Sequence, residues 1–294
     1  MDDTTLKTVS IDGLEEIGRG ATSRVFKLDE DKIIKVFHPW IQREEIERER
    51  SASRRAFIKG VPTAITYHLV KAGEGYGIIY ELIDADTLAM AMYKDRDHLK
   101  EYATKAAGML RTLHATEYEK GQLPDTRDVW CNMFDMALNR FLTEEQRMSL
   151  KSFIRSLPER HTFIHGDFHA LNIMVRRGEL ILIDVGDASL GDPVLDLAGT
   201  YMASVIVASQ SVAEHTKKLL LSAEEWQEFW DAFLMAYLKT EDPKALSKET
   251  ERIAYFALIR QAATCALLPG MEDEEKRLVL APKIRQIFEK MGTL

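Results

Sequence analysis

The chain has 294 residues, 46% of them hydrophobic and 29% charged, with a formal net charge of -8 at pH 7. At roughly 150 residues per domain this is one large or two ordinary domains with ample apolar content for a core, which excludes disordered and fibrous classes. The acidic balance opposes the phosphate neutralisation on which nucleic-acid affinity rests, so no nucleic-acid partner is expected.

Short apolar runs at residues 10–17, 24–28, 32–37, 64–70 and 76–82, separated by turn signals, predict antiparallel strands. Asp29-Glu30-Asp31 and residues 71–75 have the lengths of hairpin connections. Between them, residues 42–59 are charged and lack Gly and Pro, which predicts one exposed helix. Beyond Leu82 apolar residues recur every three or four positions, predicting helices over 87–92 and 98–114, and Thr143 with Gln146 forms a capping box that opens another.

Brief strand-like runs follow at 162–164, 173–175 and 180–183. Helices are then predicted over 194–207, over 222–239 with Ser222 and Glu225 as a second capping box, over 249–268 and over 272–291. Together these elements predict an α+β chain with a small antiparallel, β-rich N-terminal lobe (1–82) and a larger, mainly helical C-terminal lobe (83–294). Ligands commonly sit between such domains.

Residues 1–13 are acidic and carry no basic segment ahead of an apolar run, and the longest apolar stretches are far short of the ~20 residues that a membrane span needs. A cytoplasmic location with no membrane partner is expected. Cys131 and Cys265 lie far apart and outside any Cys-x-x-Cys, so both read as small buried hydrophobes.

Gly18 and Gly20 lie between two strand-like runs, where missing side chains let backbone N–H groups approach a phosphate. A strand, rather than a helix, follows them, which favours a glycine-rich flap over nucleotide phosphates. Lys35 stands inside the apolar strand Ile33-Ile34-Lys35-Val36-Phe37, where burying an ammonium is costly unless it is paired. The following helix offers Glu45 and Glu49, one turn apart, and Glu49 is chosen as the partner.

The richest segment is His165-Gly166-Asp167-Phe168-His169-Ala170-Leu171-Asn172, followed by Ile183-Asp184-Val185-Gly186. Phosphoryl transfer needs a carboxylate to orient the attacking hydroxyl, and an Asp with an Asn to hold Mg²⁺ against the phosphate oxygens. Asp167 fits the first role, and Asp184 and Asn172 the second. Asn172 follows Asp167 by five positions, the spacing of a kinase catalytic loop.

With flap, strand lysine, loop and second aspartate in this order, the sequence resembles the protein-kinase-like superfamily, and within it the aminoglycoside phosphotransferase and choline kinase branch. His-Gly-Asp in place of His-Arg-Asp points to that branch, as do Gly191-Asp192-Pro193 and Asp196-Leu197-Ala198. The likeness runs from about Ile17 to Ala198, and the last hundred residues match only in being helical. It implies a two-lobed protein-kinase-like fold with Asp167 as catalytic base, Asn172 and Asp184 as magnesium ligands, and Lys35 with Glu49 fixing the phosphates of ATP, with GTP as the alternative nucleotide.

The same resemblance makes 81–83 a hinge, so that backbone groups from Glu81 to Ile83 hold the purine, and it assigns Asp196 to the backbone of the catalytic loop. Ser23 stands where a protein kinase has the third glycine of its flap and is counted among the nucleotide-binding residues. Val185 replaces the Phe of Asp-Phe-Gly, and no Ala-Pro-Glu follows, which argues against an activation loop.

His165 and His114 read as satisfied core histidines. The aromatic residues Trp226, Phe229, Trp230 and Phe233 read as a core stripe, and the acidic residues of the last helices as solvated faces. The function expected is transfer of a γ-phosphoryl group to a hydroxyl of a small molecule. A protein kinase and a non-catalytic nucleotide-binding module are the alternatives.

Overall fold

The computed structural model describes residues 6–20, 22–116, 118–209, 220–268 and 270–291, and Ala21 of the flap lies outside the described residues. The chain forms two compact units: one of residues 1–88 with 171–187, the other of 89–170 with 188–294. The segment 171–187 thus packs with the N-terminal residues although it follows them by more than eighty positions.

The first unit is built on a six-stranded sheet. Its strands are β1 (Thr8–Val9), β2 (Glu16–Arg19), β3 (Ser23–Lys27), β4 (Lys32–Phe37), β5 (Thr66–Ala72) and β6 (Gly75–Glu81), in the order β1-β5-β6-β4-β3-β2. Residues 10–15, expected as strand, are turn and irregular chain instead, and β1 pairs with β5 in parallel rather than antiparallel. The other pairings are antiparallel.

Side chains alternate across this sheet. Ile34 and Val36 of β4 join Phe26, Val70, Ala72 and Ile79 in one apolar cluster, while Phe37 joins Leu69, Ile78 and the helical Ile46 in another. Lys35 has the parity of Phe37 and so falls on the face covered by helix α1 (Arg43–Ile58). Ile46, Ser53 and Ala56 are buried along one stripe of α1, and Glu49 stands in that stripe.

After the two-residue β7 (Asp86–Thr87), which pairs with β9, α2 (Leu88–Lys94) leads into the second unit. There α3 (Leu99–His114), α4 (Thr126–Ala137) and α5 (Glu144–Arg155) precede β8 (Phe163–Ile164), and β9 (Ile173–Arg176) and β10 (Glu179–Leu182) return to the first unit as an antiparallel pair. Ile181 of β10 packs with Ala64 and Ile83. The short β11 (Ser189–Leu190) then pairs with β8.

The remaining helices belong to the second unit. α6 (Val194–Tyr201) runs through a π-helical stretch, Met202–Ile206, into α7 (Val207–Ser209), and α8 (Ala223–Leu238), α9 (Pro243–Leu267) and α10 (Asp273–Met291) follow. The capping boxes at Thr143 and Ser222 both form. Trp226, Phe229, Trp230 and Phe233 are buried, as a core stripe requires, and Phe168 packs against Phe233. Among the described residues, no helix is long and apolar enough to cross a membrane.

Candidate active site

In the first unit, Lys35 Nζ lies 2.7 Å from Glu49 Oε1 and 2.8 Å from Asp184 Oδ1. Tyr80, on β6, donates its hydroxyl to Glu49 Oε1 at 3.0 Å. Glu45 instead has a half-exposed side chain beside Arg48. Burial opposes the Lys35 charge, yet Glu49 and Asp184 outweigh it and hold the ammonium's pKa above the ordinary lysine value. Burial also raises the Glu49 carboxyl, against the pull of Lys35.

Asp184 reaches Lys35 from a left-handed backbone conformation, with φ of 59°. Two residues on, a Cβ at Gly186 would sit 2.7 Å from Glu49 Oε2, so only a glycine lets the short helical turn Val185–Asp187 approach α1 without displacing the carboxylate that pairs with Lys35. The backbone N–H of Ile183 donates to the carbonyl of Asn172 at 2.9 Å, which ties Asn172 to the strand end that carries Asp184.

This cluster sets two carboxylates against one ammonium, and the Asp184 side chain keeps 49% of its surface exposed. A carboxylate and a carboxamide are hard oxygen donors, and the surplus of acid suits a divalent cation. Asp184 and Asn172 therefore fit the magnesium expected from the sequence.

At the flap, β2 and β3 pair Gly18 with Val25 and Arg19 with Arg24, and the N–H of Gly20 donates to the carbonyl of Ser23 at 2.9 Å. The Ser23 side chain is buried. Glu16 accepts from Arg19 and Arg24, which braces the base of the flap. At the expected hinge, the N–H of Glu81 donates to Ile65 and that of Leu82 to Asp31. The Glu81 side chain is tied to Arg176 at 2.9 Å, and Ile83 is buried.

In the second unit the loop after β8 is held by one fully buried carboxylate. Asp196, in the first turn of α6, accepts the N–H groups of His165 and Gly166, each at 2.7 Å. It also meets His114 Nε2 at 3.1 Å, while His114 Nδ1 is 2.7 Å from the Tyr237 hydroxyl. Burial alone would raise the Asp196 carboxyl, but the His114 hydrogen bond and the neighbouring histidines keep it below the ordinary aspartate range.

Gly166 has φ of 87°, a conformation that a side chain would strain, and it turns the chain so that the Asp167 N–H donates to His165 Nδ1 at 3.1 Å. A backbone N–H can only donate, so this nitrogen of the buried His165 is the unprotonated one. The histidine braces the loop.

The Asp167 side chain meets the Arg260 guanidinium, with Nη2 2.8 Å from Oδ1, and the His169 ring, with Nε2 3.2 Å from Oδ2. Burial would raise its carboxyl, yet the His169 hydrogen bond and the charges of His169 and Arg260 drive it well below the usual range, so Asp167 is a carboxylate at neutral pH. The sequence reading did not single out Arg260 or Tyr80. The signal for Arg260 was present, because it is a charge inside the otherwise buried run Tyr255–Ala263 of α9 and, like Lys35, requires a partner.

Residues 13–229 match the model of the phosphotransferase enzyme family. The chain belongs to that family. No curated protein matches it by sequence. Among solved structures, the ADP-bound aminoglycoside phosphotransferase APH(2'')-Ib is 18% identical, with 95% of this chain and 93% of that one covered at a TM-score of 0.60.

A choline/ethanolamine kinase family protein from Mesorhizobium loti is 16% identical, covers 95% and 87%, and has a TM-score of 0.61. Amicoumacin kinase hAmiN, in complex with AMP-PNP, Ca²⁺ and Ami, is 15% identical, covers 97% and 90%, and has a TM-score of 0.60. The phosphotransferase thus has the protein-kinase-like fold expected from its motifs.

Proposed function

We propose that this phosphotransferase moves the γ-phosphoryl group of ATP to a hydroxyl of a small molecule. The observation that carries the reading is the Lys35 ammonium held between Glu49 and Asp184, a cation fixed by buried acid on an interior strand, which is the arrangement that grips nucleotide phosphates. Neighbours solved with ADP, and with AMP-PNP, Ca²⁺ and Ami, support a nucleotide and a small acceptor.

In this reading the flap around Gly18, Gly20 and Ser23 covers the phosphates, Lys35 positions them, and backbone groups from Glu81 to Ile83 other than the engaged N–H groups of Glu81 and Leu82 hold the purine. Asp184 and Asn172 would hold magnesium, which would supply charge neutralisation for the phosphates. Asp167 accepts a hydrogen bond from the acceptor hydroxyl. A new O–P bond forms as the bond from the γ-phosphorus to the β–γ bridging oxygen breaks, ADP leaves, and Asp167 takes the proton released by the hydroxyl.

A carboxylate of such low basicity takes the proton late, so Asp167 contributes mainly by orienting the acceptor.

Thermal unfolding with ATP or GTP, with and without Mg²⁺, tests the nucleotide half, because a ligand of the folded state alone raises stability with the logarithm of its concentration. Transfer of labelled γ-phosphate to amino sugars, choline-like alcohols and a protein substrate tests the acceptor class. Asp167→Ala is expected to abolish turnover and keep the nucleotide shift, and Asp184→Ala to lose the magnesium-dependent shift. Equal, modest effects of the two would overturn the assigned roles.

A further inference from the structure

We propose that Arg260 is a positioning residue for Asp167, supplied by helix α9 from beyond the part of the chain that matches the family model. That match ends at residue 229, and α9 spans Pro243–Leu267. The proposal rests on the phosphotransferase reading and names how the catalytic carboxylate of that reading is set.

One guanidinium makes two contacts on the loop. Arg260 Nη1 donates to the carbonyl of Gly166 at 2.5 Å, and Nη2 donates to Asp167 Oδ1 at 2.8 Å. The first fixes the backbone at the residue with φ of 87°, and the second fixes the rotamer of the residue that follows it. A planar guanidinium holds both acceptors in one geometry, which a lysine ammonium does not.

Room for it is made by Gly199 of α6, where a Cβ would stand 3.0 Å from Nη1. Only 15% of the Arg260 side chain is exposed, so the contact is not a solvated surface pair.

The loop is thereby gripped from two helices. Asp196 of α6 takes the N–H groups of His165 and Gly166, and Arg260 of α9 takes the Gly166 carbonyl and the Asp167 carboxylate. With Arg260 on Oδ1 and His169 on Oδ2, the carboxylate is held in one orientation toward an acceptor hydroxyl. Loss of Arg260 frees the carboxylate to rotate, and misplacement of a catalytic group by about 1 Å costs on the order of a hundredfold in rate.

The test uses the full chain and the acceptor that gives the highest wild-type turnover. Arg260→Ala is expected to lower kcat about a hundredfold, with the KM for ATP and the magnesium–nucleotide thermal shift within twofold of wild type. Millimolar guanidinium ion is expected to restore part of the Arg260→Ala rate, and Arg260→Lys to remain well below wild type. In an Asp167→Asn background, adding Arg260→Ala is expected to cost less than threefold, because the arginine acts through the carboxylate.

A rate within twofold of wild type in Arg260→Ala, or above it as for a latch released, would overturn the proposal. So would an equal loss in the two backgrounds, or a loss of rate that follows only a loss of folded protein in circular dichroism. A wild-type chain with neither nucleotide shift nor transfer would overturn the phosphotransferase reading itself, a result distinct from an active enzyme indifferent to Arg260.

Discussion

The two units hold their candidate site residues by different means. In the first, Lys35, Glu49 and Asp184 hold one another through side-chain charge, with Asp184 half open to solvent. In the second, a fully buried Asp196 grips the backbone N–H groups of the loop, and Arg260 and His169 meet the Asp167 side chain that the loop presents. A charge cluster with an exposed member can change its partners when a ligand arrives, whereas a loop pinned through its backbone cannot. The first arrangement suits binding and the second suits orientation.

The sharpest way to break this contrast is at Asp196. Asp196→Ala leaves two buried N–H groups and His114 without their acceptor, and a loss of about 3–5 kcal/mol is expected in denaturant unfolding. Because its folded pKa is depressed, the carboxylate stabilises the fold above the ordinary aspartate value of 3.8, and that contribution disappears as pH falls through the folded value. Asp196→Asn should therefore be less stable than wild type at neutral pH, with a smaller further loss as pH falls below the ordinary aspartate value. An unchanged acid limb would contradict the assignment.

Lys35→Met comes next in size. It leaves Glu49 facing Tyr80 without the ammonium, and the magnesium–nucleotide thermal shift is expected to vanish while the unliganded protein stays folded. Gly186→Ala is subtler: the new methyl would press on Glu49, and a stability loss of about 1–3 kcal/mol with a weaker nucleotide shift is expected in paired thermal scans. Tyr80→Phe removes one hydrogen bond to Glu49 and should cost about 1 kcal/mol by the same measurement. If Tyr80→Phe exceeded Gly186→Ala, the hydroxyl rather than the close approach of 185–187 would be what fixes Glu49.

Much of this was legible from one argument applied to one residue at a time. A lysine inside an apolar strand needs an acid, and the next helix supplied Glu49 in the stripe of Ile46 and Ser53. The same argument applied to Arg260, inside the buried run of α9, calls for an acid as well, but nothing in the apolar period of the helix says that the acid is Asp167. The start of α9 was missed as well. Asp242 caps the helix ahead of Pro243, a pair of residues that suits a helix start, yet the first turns are largely exposed and carry no apolar period.

Helix α4 went unpredicted although Asp125 caps it and Trp130, Cys131, Phe134 and Ala137 are buried at helical spacing. The parallel pairing of β1 with β5 has no local signature, because a two-residue strand takes its direction from the sheet edge it meets.

The return of residues 171–187 to the first unit also sets an order of events during synthesis. Ala64 and Ile83 pack with Ile181, and Thr63 bridges to Leu182, so the core of the first unit is not finished when β6, the last strand of the six-stranded sheet, emerges. At about 5–20 residues per second, the ribosome takes roughly 5–20 s to add the chain from residue 88 to 187. Until then Ala64 and Ile83 lack a partner in that cluster and offer apolar surface to any chaperone within reach, and the segment bearing Asp184 is the piece that covers them.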